Sequence, residues 1–362
     1  MEIRNSQFGF SNGSQIGSKP ESALVAMSGG VDSTVAAMLA IEGGLDCAGA
    51  TMKLYPSGNG GEEDARSAAR SLGIPFYVFD FSAFFATRVI ERFVNAYREG
   101  KTPNPCVDCN KYIKFGCLLE KARELGKDYV VSGHYAQIER SAGGRFLLKK
   151  GADTAKDQSY VLYGLTQGQL ARIRFPLGGA TKPQVREMAL GAGLENSDKR
   201  ESQDICFVPD GEYAKFITEY TGDTPRKGRF VDAEGNDLGE NRGVIHYTIG
   251  QRRGLGLAMM HPVYVLDIRT ENDTVVIGEN GLLYSKVLHI NDINLIPLDK
   301  LGAPIKARVK IRYKQPEQPA AIYQIEEDTI RIEFEEPQRA ITRGQAAVIY
   351  DGDVVIGGGT IA

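Results

Sequence analysis

Apolar positions follow two regimes along this chain. Up to about residue 132, short apolar runs at 23–27, 47–53, 74–79 and 129–132 alternate with stretches of helical spacing at 34–41, 62–72, 84–97 and 110–125. Gly73, directly after the second helical stretch, reads as a C-terminal cap. Such alternation predicts an α/β fold with a doubly wound parallel sheet, which binds ligands beyond the carboxyl ends of its strands. From about 211 to 278 turn signals multiply, as at Gly222-Asp223 and in 234–236 and 270–273, and a small mixed or β domain is expected. Beyond Leu288 the pattern becomes period two. Ile305, Ala307, Val309, Ile311 and Tyr313 fall on one face, and Lys306, Arg308, Lys310, Arg312 and Lys314 on the other. Further alternating runs at 320–325, 329–334, 346–350 and 354–358 predict a small antiparallel barrel. The expected organisation is a disordered polar leader at 1–21, an α/β catalytic domain at 22–209, a central small domain at 210–282 and a C-terminal β-barrel at 283–362.

The chemistry starts at the turn between the first run and the first helical stretch, Ser28, Gly29, Gly30, Val31, Asp32 and Ser33. Paired glycines allow a tight turn, so successive N–H groups and the positive end of the following helix converge on one anion. Ser28, Ser33 and Thr34 add hydroxyl donors. The loop lacks the lysine of the GxxxxGK[ST] nucleotide motif. It resembles the SGGxDS loop of the ATP pyrophosphatases, which split ATP between its α and β phosphates, and that implies transfer of AMP. An ordinary glycine-rich strand-to-helix turn is the plainer alternative.

Composition narrows the class. With 362 residues, 42% hydrophobic and 25% charged, the chain has the makeup of a soluble globular protein of two or three cores. No apolar run approaches the roughly 18 to 20 residues of a membrane span, and the first twenty residues show no signal-peptide core, so a cytoplasmic location without membrane partners is expected. The net charge of −3 gives no global attraction for nucleic acid, which leaves local patches. The cationic face at 306–314 reads as such a patch, a phosphate track along an RNA, with a merely solvated face as the alternative. Arg252-Arg253 is a second candidate contact.

Five cysteines, an odd number with one Cys-x-x-Cys pair, suit sulfur or metal chemistry better than a disulfide scaffold. The pair lies in Thr102-Pro103-Asn104-Pro105-Cys106-Val107-Asp108-Cys109-Asn110. Two prolines are expected to hold this stretch extended, with a helix resuming near Asn110. Cys109 would then lie at a helix N-terminus beside Lys111 and Lys114, where dipole and charge favour thiolate. Structural zinc is a weaker rival, since a second Cys-x-x-Cys is lacking. Cys206 has a similar basic setting in 199–207, while Cys47 and Cys117 read as core residues.

Taken together, several stretches resemble the tRNA-specific 2-thiouridylase family, and in particular its Cys-x-x-Cys, iron–sulfur-dependent branch. They are the 28–33 loop, 102–105 with Cys109-Asn110, Ile113-Lys114-Phe115, Gly133-His134-Tyr135-Ala136, 156–160, 202–207, 247–256 and Gly344-Gln345. The resemblance runs from about residue 22 to the C-terminus. It implies ATP-dependent adenylation of the C2 oxygen of the wobble uridine in tRNAs for Lys, Glu and Gln, then displacement of AMP by sulfur. By the same resemblance, Ala26, Met27, Ser28, Gly29, Gly30, Val31, Asp32, Ser33, Met52 and Gly133 would contact ATP, with Mg2+ neutralising its phosphates. Asn104, Pro105, His134, Lys156, Asp157, Gln158, Arg312, Tyr313 and Gln345 would contact the base or the tRNA, and the base must leave its stack. In the familiar branch Cys206 would carry a persulfide and Cys109 would help release its sulfur. That branch has aspartate where this chain has Cys106. Three thiols at Cys106, Cys109 and Cys206 imply instead a 4Fe-4S cluster with one iron open to sulfide. Both routes stay open, with a cysteine desulfurase, a relay protein or free sulfide as sulfur donor. An ATP pyrophosphatase acting on a small molecule would not need the three cysteines, and a noncatalytic tRNA-binding protein would leave the loop unexplained.

Overall fold

The computed structural model describes residues 20–55, 61–194, 205–208 and 211–362. Most of the leader and the 199–204 part of the Cys206 motif lie outside the described residues. Contacts divide the described residues into two compact units, one falling within 1–89, 106–203 and 351–357, the other within 90–105, 204–350 and 358–362.

The first unit is built on β1 (Ser22–Ala26), β2 (Asp46–Lys53), β3 (Phe76–Asp80), β4 (Tyr129–Val131) and β7 (Ile173–Arg174), all parallel in the order β3-β2-β1-β4-β7. Register pairs Ala26 with Ala50 and Val25 with Val131. The central strand β1 is apolar and buried along nearly its whole length, as expected where helices cover both faces. Gly30 stands at the N-terminal boundary of helix α1 (Val31–Glu42), and helix α2 (Glu62–Ser71) ends where Gly73 takes φ +68° and donates to Arg70 O. Small residues let α1 pack closely: Ala36, Ala37 and Ala40 join Val185 and Ala189 of helix Lys182–Gly191 in one core. Strands β5 (Ala136–Arg140) and β6 (Phe146–Lys150) form an antiparallel hairpin in the same unit.

Two helical runs differ from the sequence expectation. Residues 82–98 are helical throughout but relax into π geometry at Ala86–Ile90. The second begins at Pro105, five residues before the expected start, and continues as a π-helix over Cys109–Cys117 and an α-helix over Leu118–Glu124. Proline fits the first helical turn, where its missing N–H has no partner to lose. The 102–110 stretch is therefore non-helical only up to Asn104, and Cys109 is one turn inside the helix.

In the second unit, β8 (Gly228–Val231), β9 (Asp237–Asn241), β10 (Tyr264–Arg269) and β11 (Thr274–Gly278) form a four-stranded sheet. Strands β12 (Tyr284–Leu295), β13 (Ile305–Lys310), β14 (Gln318–Glu326), β15 (Thr329–Arg339), β16 (Ala346–Asp351) and β17 (Val354–Ile361) follow in the order β12-β15-β14-β13-β16-β17. Pairing of β12 with β17 closes this antiparallel barrel. Closure requires Gly359, where a Cβ would lie 2.6 Å from Asn291 O. The cationic alternation stops earlier than expected, because β13 ends at Lys310 and the chain turns through 311–315. No helix among the described residues is long and apolar enough to cross a membrane.

Candidate functional site

At the carboxyl end of β1 the chain turns through Ser28, Gly29 and Gly30 into α1. Gly29 has φ +77°, and a Cβ there would fall 2.5 Å from Asp64 Cβ and 2.9 Å from Gly61 O. Only glycine fits this turn. Gly133, after β4, presses onto the start of α1 in the same way, its Cβ position being 2.8 Å from the Asp32 carbonyl carbon. The N-terminus of α1 has no side-chain cap, so its amides remain available to an anion.

The hydroxyls are arranged differently from the expectation. Ser33 Oγ donates to Gly30 O (2.9 Å) and Thr34 Oγ1 to the same oxygen (3.1 Å), while Ser28 N donates to Ser33 Oγ (3.2 Å). Ser33 and Thr34 thus hold the shape of the turn, and the backbone amides carry the anion-binding capacity. A Gly29→Ala substitution should lower ATP affinity by at least about tenfold, through strain at positive φ and the clash with Asp64. Nucleotide titration of the variant, with melting to confirm its fold, checks this.

One side chain of the site escaped the sequence reading. Lys182 is only 7% exposed, and its Nζ lies 2.8 Å from both carboxylate oxygens of Asp32. Tyr135 OH donates to the same carboxylate at 2.7 Å, and the Lys182 amide donates to Asp153 (2.9 Å). A buried cation therefore stands beside the loop that lacks its own lysine, and it neutralises an acid that would repel a phosphate.

Met52 lies at the end of β2, and Met27 donates its amide to Ala50 O. His134 is buried, with Nδ1 2.8 Å from Ser132 Oγ and its ring packed against Phe115 and Phe175, at 5.5 and 5.6 Å. Burial, helped by the charge of Lys114, holds its pKa well below the usual imidazole value, so the ring is neutral at pH 7. Asp157, expected to meet the tRNA, is buried and accepts from the amides of Gly151 and Ser159 (both 3.0 Å) and from Ser159 Oγ (2.8 Å). Gln158 likewise accepts from the Tyr135 amide at 2.9 Å. Gln158 thus braces the 133–135 segment, and Asp157 holds Gly151 and Ser159. Lys156 is half-buried in the turn beside them, its amide donating to Asp153 O.

Cys106 and Cys109 lie at i and i+3 on one helical turn, Cys109 buried and Cys106 exposed. Although Cys106 reaches solvent, the protein around it raises its thiol pKa by desolvation more than Lys114 lowers it. Asn110, next in the helix, is 2% exposed; its amide donates to Val161 O (3.2 Å) and its Oδ1 finds no partner. Cys47 is a core residue as expected, its thiol pushed up to about 11 by burial, whereas Cys117 is only half-buried.

In the second unit, Cys206 is exposed on a short turn closed by Val208 N donating to Ile205 O. Phe207 beside it is buried edge-on against Phe93 at 5.3 Å and tilted against Phe216 at 5.2 Å. That anchoring holds the turn while its thiol faces solvent. Among the described residues no group of three or more His, Cys, Asp or Glu is gathered so as to hold a metal ion.

Asn104 is half-buried and Pro105 buried. Arg312 donates to Ala340 O (2.7 Å) and Thr342 Oγ1 (2.9 Å), Tyr313 has Lys310 Nζ 5.7 Å from its ring centre, and Gln345 donates to Thr102 O (2.7 Å). On the cationic strand, Arg308 turns to Glu317 and Lys306 stays exposed.

Three family models match the chain: the tRNA methyl transferase HUP domain at 21–210, the tRNA methyl transferase PRC-barrel domain at 214–279 and the aminomethyltransferase beta-barrel domain at 285–361. The chain is 47% identical to the tRNA-specific 2-thiouridylase MnmA of Clostridioides difficile strain 630, over 93% of this chain and 97% of that protein. It is 48% identical to the protein of the same name from Carboxydothermus hydrogenoformans, over 93% and 96%. Among solved structures, a 4-thiouridine synthetase in complex with RNA and ATP aligns over 52% of this chain and 45% of its own, at 20% identity and a TM-score of 0.35.

Proposed function

From the chain's membership of the tRNA-specific 2-thiouridylase family, we propose that it converts the wobble uridine of tRNAs for Lys, Glu and Gln to 2-thiouridine. The observation that carries the reading is the glycine turn at 28–30, with the uncapped α1 N-terminus and the buried Lys182 beside it. This is a site for a polyphosphate whose leaving group is pyrophosphate. ATP would lie there with its Mg2+, along the carboxyl ends of β1, β2 and β4 where Met27, Met52 and Gly133 stand. The uridine C2 oxygen attacks the α-phosphorus and pyrophosphate departs; sulfur then bonds to C2 and AMP leaves with the former oxygen. Neutral His134 serves as an uncharged hydrogen-bonding wall for an extruded base, and Asn104 as its polar contact.

For the sulfur step the favoured reading is persulfide relay. Cys206 carries the sulfur as a persulfide on its solvent-facing turn, where its thiolate can take the outer sulfur of a donor protein's persulfide as the donor's own thiolate leaves, and Cys109 assists release. The second reading is a cluster held by Cys106, Cys109 and Cys206, supported by the i, i+3 placement of the first two thiols. Such a cluster, when bound by these thiols, would supply sulfide to the activated base. Exposed Lys306, with Lys310, would meet the tRNA backbone.

The test is anaerobic incubation of unmodified tRNA with ATP, Mg2+ and sulfide or a persulfide donor, reading AMP and 2-thiouridine together. AMP release that depends on tRNA and keeps step with 2-thiouridine is expected. AMP formed without RNA would favour a small-molecule acceptor.

A further inference from the structure

The helix that carries Cys109 keeps π geometry over Cys109–Cys117 before it returns to α geometry at Leu118. A side chain from outside the helix meets it there. Gln169 Nε2 donates to Phe115 O (2.7 Å) and to Lys111 O (3.0 Å), so its two N–H bonds take backbone carbonyls four residues apart. Those carbonyls belong to the helical ladder itself, and a side chain inserted into that ladder is one of the few causes of a departure from α geometry. The Gln169 amide is fixed in this orientation, because its Oε1 accepts from the Thr166 amide (2.9 Å) in the cap of the Gln167–Leu170 helix. A second bond holds the other end of the π segment, Asn110 Nδ2 donating to Val161 O (3.2 Å). Two points of the 159–170 stretch thus grip the segment near its start and near its end, all within the first unit.

Gln169 lies in none of the motifs that the sequence singled out, yet the geometry it holds decides where Cys109 points. An α-helix turns about 100° per residue, so expelling one residue from the wider π turns would rotate Cys109 and Asn110 by about 100° relative to the helix beyond them. That downstream helix is packed through Leu118, Leu119 and Ala122, and the rotation would fall on the Cys109 side. Resting on the function proposed above, in which Cys109 assists sulfur release, we propose that Gln169 is a positioning residue whose two bonds keep the Cys109–Cys117 π segment in register and so aim Cys109 for the sulfur step. It acts through the helix and not on the substrate.

Gln169→Glu keeps the side chain's length and the oxygen that Thr166 binds, but turns an acceptor toward the two carbonyls. Gln169→Met keeps the volume and removes both ends. In the full-length protein each should slow single-turnover formation of 2-thiouridine by about tenfold or more, while the pyrophosphate released as the uridine is adenylated forms within about threefold of the parent rate. A general loss of fold would slow both steps together, so the split between them reports the aim of Cys109. Amide exchange over 113–119 should accelerate in both variants, with exchange in the Lys182–Gly191 helix unchanged. Thiolation within about threefold of the parent, pyrophosphate release slowed in step with thiolation in both variants, or unchanged exchange over 113–119 overturns the proposal. Exchange reads the grip with no tRNA present. A parent protein that thiolates nothing would therefore refute the proposed function, while exchange still reports whether Gln169 holds the helix.

Discussion

Replacing Lys182 with methionine should slow tRNA-dependent AMP formation by about 10²- to 10³-fold, the usual cost of losing one preorganised charge at a developing anion. Charge builds on the departing pyrophosphate, and the 28–33 loop has only backbone amides and a helix end to meet it. Lys182 stands there already desolvated and held by Asp32, whose carboxylate Tyr135 OH also grips, so no reorganisation is needed when the charge appears. Methionine keeps the stem's packing and removes the cation. Asp32 then keeps Tyr135 and partial access to water, and the stability loss should be modest, about 1–2 kcal/mol, below that of a fully buried broken pair. A variant carrying both Asp32→Asn and Lys182→Met separates two roles. If Lys182 only neutralises Asp32, the pair of changes restores the rate; if it meets the phosphates, the double variant stays slow. Burst measurement of AMP, with tRNA binding as control, decides between them.

The parts of the fold set by short-range pattern were legible, and the parts set by distant partners were not. The alternation of apolar runs with helical stretches gave β1 to β4 and their helices because each buries a face with its own period. Gly73 was readable as a cap because left-handed backbone at a helix end selects glycine. Lys182 was not, because its partner is 150 positions away and an isolated Lys-Pro at a helix start reads only as a good first turn. The same holds for Asp157 and Gln158, polar residues whose bonds to the 133–135 segment and its neighbours exist only once the chain is folded. Pro105 was misplaced for a local reason. Its neighbour Asn104 indeed lies outside the helix, but a proline ends one conformation and can also begin a helix, and only packing of 105–117 distinguishes these. The π-turns were invisible to a period of 3.6. The cationic strand was overextended because alternation persists in sequence past Lys310, where the chain leaves the barrel wall.

Serine in place of Cys206 should leave 2-thiouridine undetectable, a fall of at least about 10³-fold, while ATP binding and tRNA affinity persist. The hydroxyl is nearly isosteric with the thiol but cannot carry a transferable sulfur. The turn is held by Phe207 against Phe93 and Phe216 and by the Val208 to Ile205 bond, none of which uses the thiol. Loss of product with an unchanged melting curve therefore reports chemistry. Cys109→Ser should have the same effect on product, since its neighbours Ile113 and Phe115 keep the helix packed. Cys106 is the discriminating position. It is solvent-accessible and its thiol is raised above the ordinary range, so in a relay it is protonated at pH 7 and dispensable. Cys106→Ser should then retain the thiolation rate within about twofold. If instead that variant loses activity together with stoichiometric iron and sulfide after reconstitution, the three thiols act as one ligand set and the relay is overturned. Cys47, buried in β2 with its thiol pushed up to about 11, is the internal control, inert to the same persulfide-trapping reagents that should label Cys206.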